Sequence, residues 1–105
     1  MTRRVAFRPQ ADAEVREARR WYEERRSGLG TKFAAAVEEA VAQITENPLA
    51  FPCVRGETRR AILHRFPYGL YFRVLRDEVI VLGVVHGRRH SRRWKSRSGG
   101  PRESG

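Results

Sequence analysis

Cysteine and long apolar runs are both scarce in this sequence, and each shortage excludes a class of protein. One cysteine in 105 residues excludes an intramolecular disulfide and any site built from several thiolates. Free cysteine behaves mainly as a small apolar residue, so Cys53 is expected to pack inside the protein. The longest run without polar side chains, 79–85, is far shorter than the roughly 20 residues of a membrane span. No transmembrane helix is therefore expected.

Patterns typical of metal and nucleotide sites are also missing. His64, His86 and His90 lie among arginines, which repel a metal cation, and not in a cluster with carboxylates. Gly28 and Gly30 precede a predicted helix, but no strand leads into them and no Gly-Lys-Ser/Thr follows. The sequence therefore predicts no metal site and no cofactor. The N-terminus carries arginines without an apolar segment behind them, unlike a secretory signal, so we expect a cytoplasmic protein with no membrane partner.

Acidic residues are outnumbered, and the imbalance is concentrated in one half of the chain. There are 22 Lys and Arg residues against 12 Asp and Glu, giving a net charge of +10. Residues 57–105 hold 12 basic and 4 acidic side chains, so they contribute +8 of that excess. All but two of the basic residues are arginine, which binds phosphates and carboxylates through two parallel hydrogen bonds. The composition therefore predicts an anionic partner, either nucleic acid or an acidic protein.

The first half of the chain predicts a strand and two helices. Residues 3–8 alternate polar and apolar side chains and stop at Pro9, which is typical of a short strand. Apolar residues then recur at helical spacing over 10–26, and again over 29–47 after a Ser-Gly break. Trp21 lies off the apolar stripe of the first helix, where it either flanks the core or forms an exposed contact. The two segments predict a helical hairpin.

Beyond residue 58 the apolar period changes from 3.6 to 2. Residues 49–57 contain prolines and a glycine and predict a loop. Three strands are predicted after it, over 60–66, 68–75 and 79–86. The order β-α-α-β-β-β predicts an α+β fold in which a helical hairpin packs on a small, mainly antiparallel sheet. We expect one domain over 1–94 and a disordered basic tail over 95–105.

Several motifs of the basic half occur in a particular combination. The second helix contains GLGTKFAAAVEEAVAQITENP, and it is followed by Arg59-Arg60, by Phe66-Pro67-Tyr68 and by His86-Gly87-Arg88-Arg89 before Trp94. In this combination the chain resembles the RelE/ParE superfamily of toxins from type II toxin–antitoxin modules. The resemblance extends from about residue 5 to residue 94. The Phe-Pro-Tyr form and the long second helix are more similar to the ParE branch than to the RelE branch.

The resemblance implies a growth-inhibiting toxin that a cognate antitoxin neutralises. ParE-type members are associated with poisoning of DNA gyrase, whereas RelE-type members are ribosome-dependent mRNA endoribonucleases. The implied partners are thus an antitoxin protein and DNA gyrase, or the ribosome and mRNA under the RelE alternative. The surface that binds antitoxin or target is expected to include these residues of the basic half: Arg59, Arg60, Arg65, Arg73, His86, Arg88, Arg89 and Trp94.

The enzymatic alternative has candidate residues of the right chemical types. RNA cleavage by a 2′-hydroxyl needs proton-transfer groups and cations on the scissile phosphate. Tyr71 and Arg73 share one face of the predicted strand 68–75, the face that looks away from the helices, and Arg88 follows the last strand. The alternation of side chains along a strand does not require Tyr71, Arg73 and Arg88 to converge on one site. His86 is more typical of a histidine at the end of a strand that is bonded to its neighbours. The sequence therefore favours a toxin that binds its target over a nuclease.

Overall fold

A short strand and two long helices form the first half of the chain. The structure, a computed structural model, describes residues 3–87. In it β1 spans Arg4–Phe7, α1 spans Pro9–Arg25 and α2 spans Leu29–Glu46. Pro9 occupies the first turn of α1, where its missing N–H costs no hydrogen bond. Gly28 separates the helices at a φ of 88°, a left-handed conformation that glycine adopts without strain. The predicted hairpin is confirmed.

The second half contains one more strand than the sequence pattern indicates. A 3₁₀ helix spans Pro48–Ala50 and is followed by four strands: β2 (Cys53–Arg55), β3 (Thr58–Ile62), β4 (Tyr68–Val74) and β5 (Glu78–His86). The prediction of an unbroken loop over 49–57 was wrong, because β2 pairs with β3 across a tight turn at Gly56. A three-residue edge strand is too short to show a period of two. The predicted strand 60–66 is also too long, since β3 ends at Ile62.

The five strands form one mixed sheet in the order β1-β5-β4-β3-β2. Strands β2 to β5 are antiparallel neighbours, whereas β1 runs parallel to β5. The first strand of the chain therefore lies beside the last. The observed order of helices and strands agrees with the predicted α+β class.

Both long helices pack on the same face of this sheet. The core between them contains buried side chains of α1 and α2 together with alternate residues of the strands: Ala11, Ala18, Phe33, Ala36, Val37, Ala40, Ile44, Ala61, Leu63, Tyr68, Leu70, Phe72, Val79, Val81 and Val84. Cys53 is exposed on β2, so the expectation that it packs inside was wrong. The cause is the unpredicted strand, which places Cys53 at the edge of the sheet.

Candidate functional surface

The sheet has a second face, opposite the helices, and several predicted site residues lie on it. Leu70 and Phe72 of β4 belong to the helix-packed core, so the alternating residues Tyr71 and Arg73 project from the opposite side. The register pairs Tyr71 with Arg60 of β3, which places Arg60 on that side as well. We call this side the distal face. It carries Arg60, Tyr71 and Arg73 of the predicted set.

Tyr71 and Arg73 differ in their surroundings on the distal face. Tyr71 is only 2% exposed, although it lies outside the helix-packed core. Arg73 is exposed, and its Nη2 donates to Oε1 of Glu57 at 2.9 Å. Residues two apart on a strand are separated by about 7 Å. The position of Tyr71 and Arg73 on one strand therefore does not by itself bring their side chains together. Arg88, Arg89 and Trp94 of the predicted set lie outside the described residues.

The side chain of Arg60 contains a buried nitrogen. Within residues 3–87, its Nε is a buried side-chain atom that forms no hydrogen bond. Its stem and the ring of Tyr71 both lie over Gly69, where a Cβ atom would be 3.1 Å from Cε1 of Tyr71 and 3.3 Å from Cγ and Cδ of Arg60. Glycine at this position therefore leaves room for both side chains. The neighbouring Ile62, two residues along β3, is 62% exposed.

Arg59 points to the other side of β3 and is used within the chain. Its Nη1 donates to the backbone oxygen of Phe51 at 2.6 Å and to that of Leu49 at 3.4 Å. These two carbonyls belong to the segment between α2 and β2. Arg59 thus ties this segment to the sheet, and its neighbour Arg60 lies on the opposite face.

Arg65 and His86 lie at one end of the sheet, next to the Phe-Pro-Tyr corner. Arg65 adopts a φ of 73°, which is uncommon for a residue other than glycine and costs free energy. The N–H of Gly87 donates to the oxygen of Pro67 at 2.8 Å, so the end of β5 is fastened to the connection between β3 and β4. The ring of His86 packs edge-on against Tyr68, with the ring centroids 5.2 Å apart.

The Phe-Pro-Tyr corner itself is a packing element. The ring of Phe66 lies 4.9 Å from that of Tyr22 and 5.3 Å from that of Phe33, measured between centroids. Tyr68 is buried and contacts the same two aromatic residues. Burial, together with the nearby Tyr68, raises the pKa of the Tyr22 phenol above 10.0. These contacts attach the helical hairpin to the end of the sheet that carries Arg65 and His86.

Two features were missed or left open by the sequence pattern. Trp21, whose position could be core or surface, is 48% exposed, and the guanidinium carbon of Arg25 lies 4.1 Å from the centre of its ring. Glu14 reaches from α1 to β5, where its Oε1 accepts a hydrogen bond from the N–H of Val84 at 2.8 Å. Nothing in the spacing of α1 distinguishes Glu14 from the other charged residues of that helix.

Neither a cluster of metal ligands nor a membrane-spanning helix occurs in the part of the chain that the structure describes. Between residues 3 and 87, no three His, Cys, Asp or Glu side chains lie together as a set of metal ligands. Neither of the helices described there is both long and apolar enough to cross a bilayer.

Comparison with known proteins gives a consistent family assignment. A family model described as the ParE toxin of the type II toxin-antitoxin system, parDE, matches residues 5–91. A search among curated proteins finds no match. A solved structure titled as the chromosomal ParDE TA system from P. aeruginosa is 18% identical, with a TM-score of 0.72 over 81% of this chain and 96% of that chain. The toxin-antitoxin complex RelBE2 from Mycobacterium tuberculosis is 23% identical, with a TM-score of 0.60 over 82% and 99%. At these identities the two structures show a shared fold.

Proposed function

Since this chain belongs to the ParE toxin family of type II toxin–antitoxin systems, we propose that it inhibits DNA gyrase and that a cognate antitoxin neutralises it. The family match carries the proposal, because it extends over almost all of the described fold. The titles of both similar solved structures name toxin–antitoxin systems, which supports an antitoxin partner. In this proposal the protein acts by binding, and the reaction it blocks is carried out by the target.

The surroundings of the candidate catalytic residues support binding over RNA cleavage. A tyrosine that transfers a proton to or from RNA has to reach the substrate, and the side chain of Tyr71 is almost fully buried. A cation that stabilises a transition state is most effective when it is positioned and shielded from water. Arg73 is exposed and already paired with Glu57. The pair therefore lacks the accessibility and the preorganisation that a nuclease site needs.

The alternative is a ribosome-dependent endoribonuclease of the RelE type. The observation in its favour is that Tyr71 and Arg73 share the distal face, on a fold also found in the RelBE2 complex. The two functions predict different damage in the cell. Inhibition of gyrase blocks replication and leaves messages intact, whereas an endoribonuclease cuts messages directly.

The deciding experiment is induction of the toxin without its antitoxin. We expect DNA-damage signalling and filamentation, and we expect transcripts to keep their 5′ ends during the first minutes after induction. Purified protein is expected to inhibit supercoiling by gyrase, and the product of the adjacent gene is expected to relieve that inhibition. The matched control is induction of both genes together, which should restore growth.

The enzymatic alternative has its own signature in the same experiment. Codon-phased cuts that appear within minutes, and that disappear in Tyr71→Phe or Arg88→Ala, would establish cleavage by this protein. Loss of one transition-state group lowers a rate by about 10²–10³-fold, so the cuts should vanish in these variants. That result would contradict the gyrase proposal.

A further inference from the structure

Three arginines of β3 and β4 lie close together and have different partners. Arg59 donates to the backbone oxygens of Leu49 and Phe51, and Arg73 is paired with Glu57. The side chain of Arg60 has neither an ion pair nor a hydrogen bond to any residue described between 3 and 87, and its Nε is buried. Among these three arginines, Arg60 is thus the one whose guanidinium has no partner within the described residues 3–87.

The position of Arg60 is determined by packing on the distal face. The stem of Arg60 and the ring of Tyr71 meet over Gly69, and any side chain at Gly69 would push them apart. A buried donor without an acceptor destabilises the folded protein, because it has lost water and gained no partner. An arginine held this way is preorganised for a planar anion, since little side-chain freedom remains to be lost on binding.

The chemistry beside Arg60 indicates what kind of partner fits. Ile62 lies two residues along β3 on the same face and is largely exposed, so a partner can cover an apolar side chain and reach the guanidinium at the same time. The net charge of +10 favours a partner with an excess of carboxylates. Glu57, in the turn that precedes β3, is engaged by Arg73.

We propose that Arg60 is the anchor for one carboxylate of the antitoxin, supplied by an acidic amphipathic segment whose apolar side chains cover Ile62. The inference rests on the proposed antitoxin partnership and assigns its central ionic contact. The carboxylate forms a two-bond pair with the two Nη groups of the guanidinium, and the partner removes the remaining water around them. In the free toxin Arg60 lowers stability, and in the complex the same side chain holds the antitoxin.

The experiment replaces Arg60 with methionine, which has an apolar stem of similar shape and no charge. The probe is the purified protein encoded by the gene next to the toxin gene, with binding measured by calorimetry. Arg60→Met is expected to weaken binding by about 30-fold or more, because the carboxylate is left unpaired at the interface. Its thermal midpoint is expected to equal or exceed that of the unchanged toxin.

The matched control is Arg76→Met, which removes the same charge elsewhere on the surface. Arg76 is exposed in the turn between β4 and β5 and is not among the residues expected to bind the antitoxin, so its loss is expected to change affinity by less than about 5-fold. Equal losses in the two variants would show that only net charge matters, and would overturn the assignment to Arg60. An unchanged affinity for Arg60→Met would overturn it as well.

A second measurement needs no variant that could fail to fold. In the unchanged toxin labelled with ¹⁵N, the side-chain nitrogen resonances of Arg60 are expected to shift when the antitoxin is added, because a carboxylate then pairs with the guanidinium. An unperturbed resonance in a saturated complex would contradict the inference while leaving the partnership intact. Failure of the unchanged toxin to bind the neighbouring gene product would contradict the proposed partnership and the anchor together.

A phosphate group also pairs with a guanidinium, so nucleic acid is the alternative partner to be tested. Binding of a 20-base-pair DNA duplex is measured for the unchanged toxin and for Arg60→Met at the same salt concentration. We expect both to bind the duplex equally well, within about 3-fold. A specific loss of DNA binding in Arg60→Met, with antitoxin binding preserved, would assign Arg60 to phosphate and overturn the proposal.

Discussion

Glu14 connects the first helix to an irregularity in β5. In the β4–β5 pairing Tyr71 faces Gly83 and Phe72 faces Val81, so Leu82 is an extra residue that forms a bulge in β5. Close to this bulge, the N–H of Val84 donates to the carboxylate of Glu14 at 2.8 Å. This hydrogen bond to the N–H of Val84 explains why the charged Glu14 lies on the otherwise apolar face of α1.

Replacing Glu14 with alanine is expected to destabilise the protein by about 1–3 kcal/mol, because a part-buried N–H loses its charged acceptor. The free energy of unfolding from urea titration measures this. Glu17→Ala is the matched control, since Glu17 is exposed on the same helix and its loss should change stability by about 0.5 kcal/mol or less. Equal effects in the two variants would show that the bond to Val84 contributes nothing.

At the scale of elements, the helical hairpin is held at its turn by one carboxylate. The two side-chain oxygens of Glu23 accept hydrogen bonds from the N–H groups of Gly28 and Gly30, each at 2.9 Å. Both donors lie at the start of α2, where backbone N–H groups have no partner within the helix. Gly30 also lies against α1, since a Cβ there would be 2.6 Å from the backbone oxygen of Arg19. Close approach of the helices therefore requires glycine at this position.

The carboxylate of Glu23 is expected to make the stability of the protein depend on pH. The N–H of Gly28 and then that of Gly30 lower the pKa of Glu23 below 4.5, because they stabilise its charged form. A carboxyl group whose pKa is lower in the folded than in the unfolded protein stabilises the fold at pH values above the unfolded-state pKa. This stabilisation is lost as the pH falls through the folded-state pKa, because the carboxylate becomes protonated. We expect Glu23→Gln to be less stable than the unchanged protein at pH 7, with a difference that shrinks below pH 4.5.

Denaturant midpoints at pH 7 and at pH 3 measure the effect of Glu23→Gln, and Glu24→Gln is the control at the next position. Glu24 is exposed on the same turn of α1, and we expect its variant to follow the unchanged protein at both pH values. A constant difference for Glu23→Gln across this range would mean that its carboxylate does not cap α2.

At the scale of the whole molecule, the pairing of β1 with β5 joins the two halves of the chain. Val5 faces Val79 and Phe7 faces Val81 in a parallel register, and the N–H of Arg8 continues the contact to the oxygen of Val81 at 3.0 Å. Val5 and Phe7 also pack against the core. The first strand thus covers an edge of β5 that would otherwise present unpaired backbone groups.

Deletion of residues 1–7 is expected to abolish cooperative thermal unfolding, because it removes the neighbour of β5 and part of the core cover. Deletion of 95–105 is the control, and it tests the prediction that this segment forms a tail outside the domain. We expect the second variant to keep the thermal midpoint of the full chain, measured by circular dichroism. A cooperative transition in the first variant would show that β1 is dispensable.

Much of the fold could be predicted because its signals are local. The spacing of Phe33, Val37 and Ile44 predicts α2, and the alternation of Leu70, Phe72 and Val74 predicts β4, since both periods are properties of a few consecutive residues. The candidate site on the sheet could be predicted from the residue pattern only in part. The pattern identifies arginines as the relevant residue type, yet it treats Arg59, Arg60 and Arg73 alike.

The sequence by itself determined the two helices and four of the five strands in their order, the excess of positive charge in the second half and the motifs that identify the family. Only the tertiary structure decided that β1 lies parallel to β5, that β2 exists, and which arginine has a partner within the chain. The reason is physical: Arg73 meets Glu57 from 16 residues away and Glu14 meets Val84 from 70 residues away. Periodicity assigns a side chain to a face, but the partner on that face comes from another part of the chain.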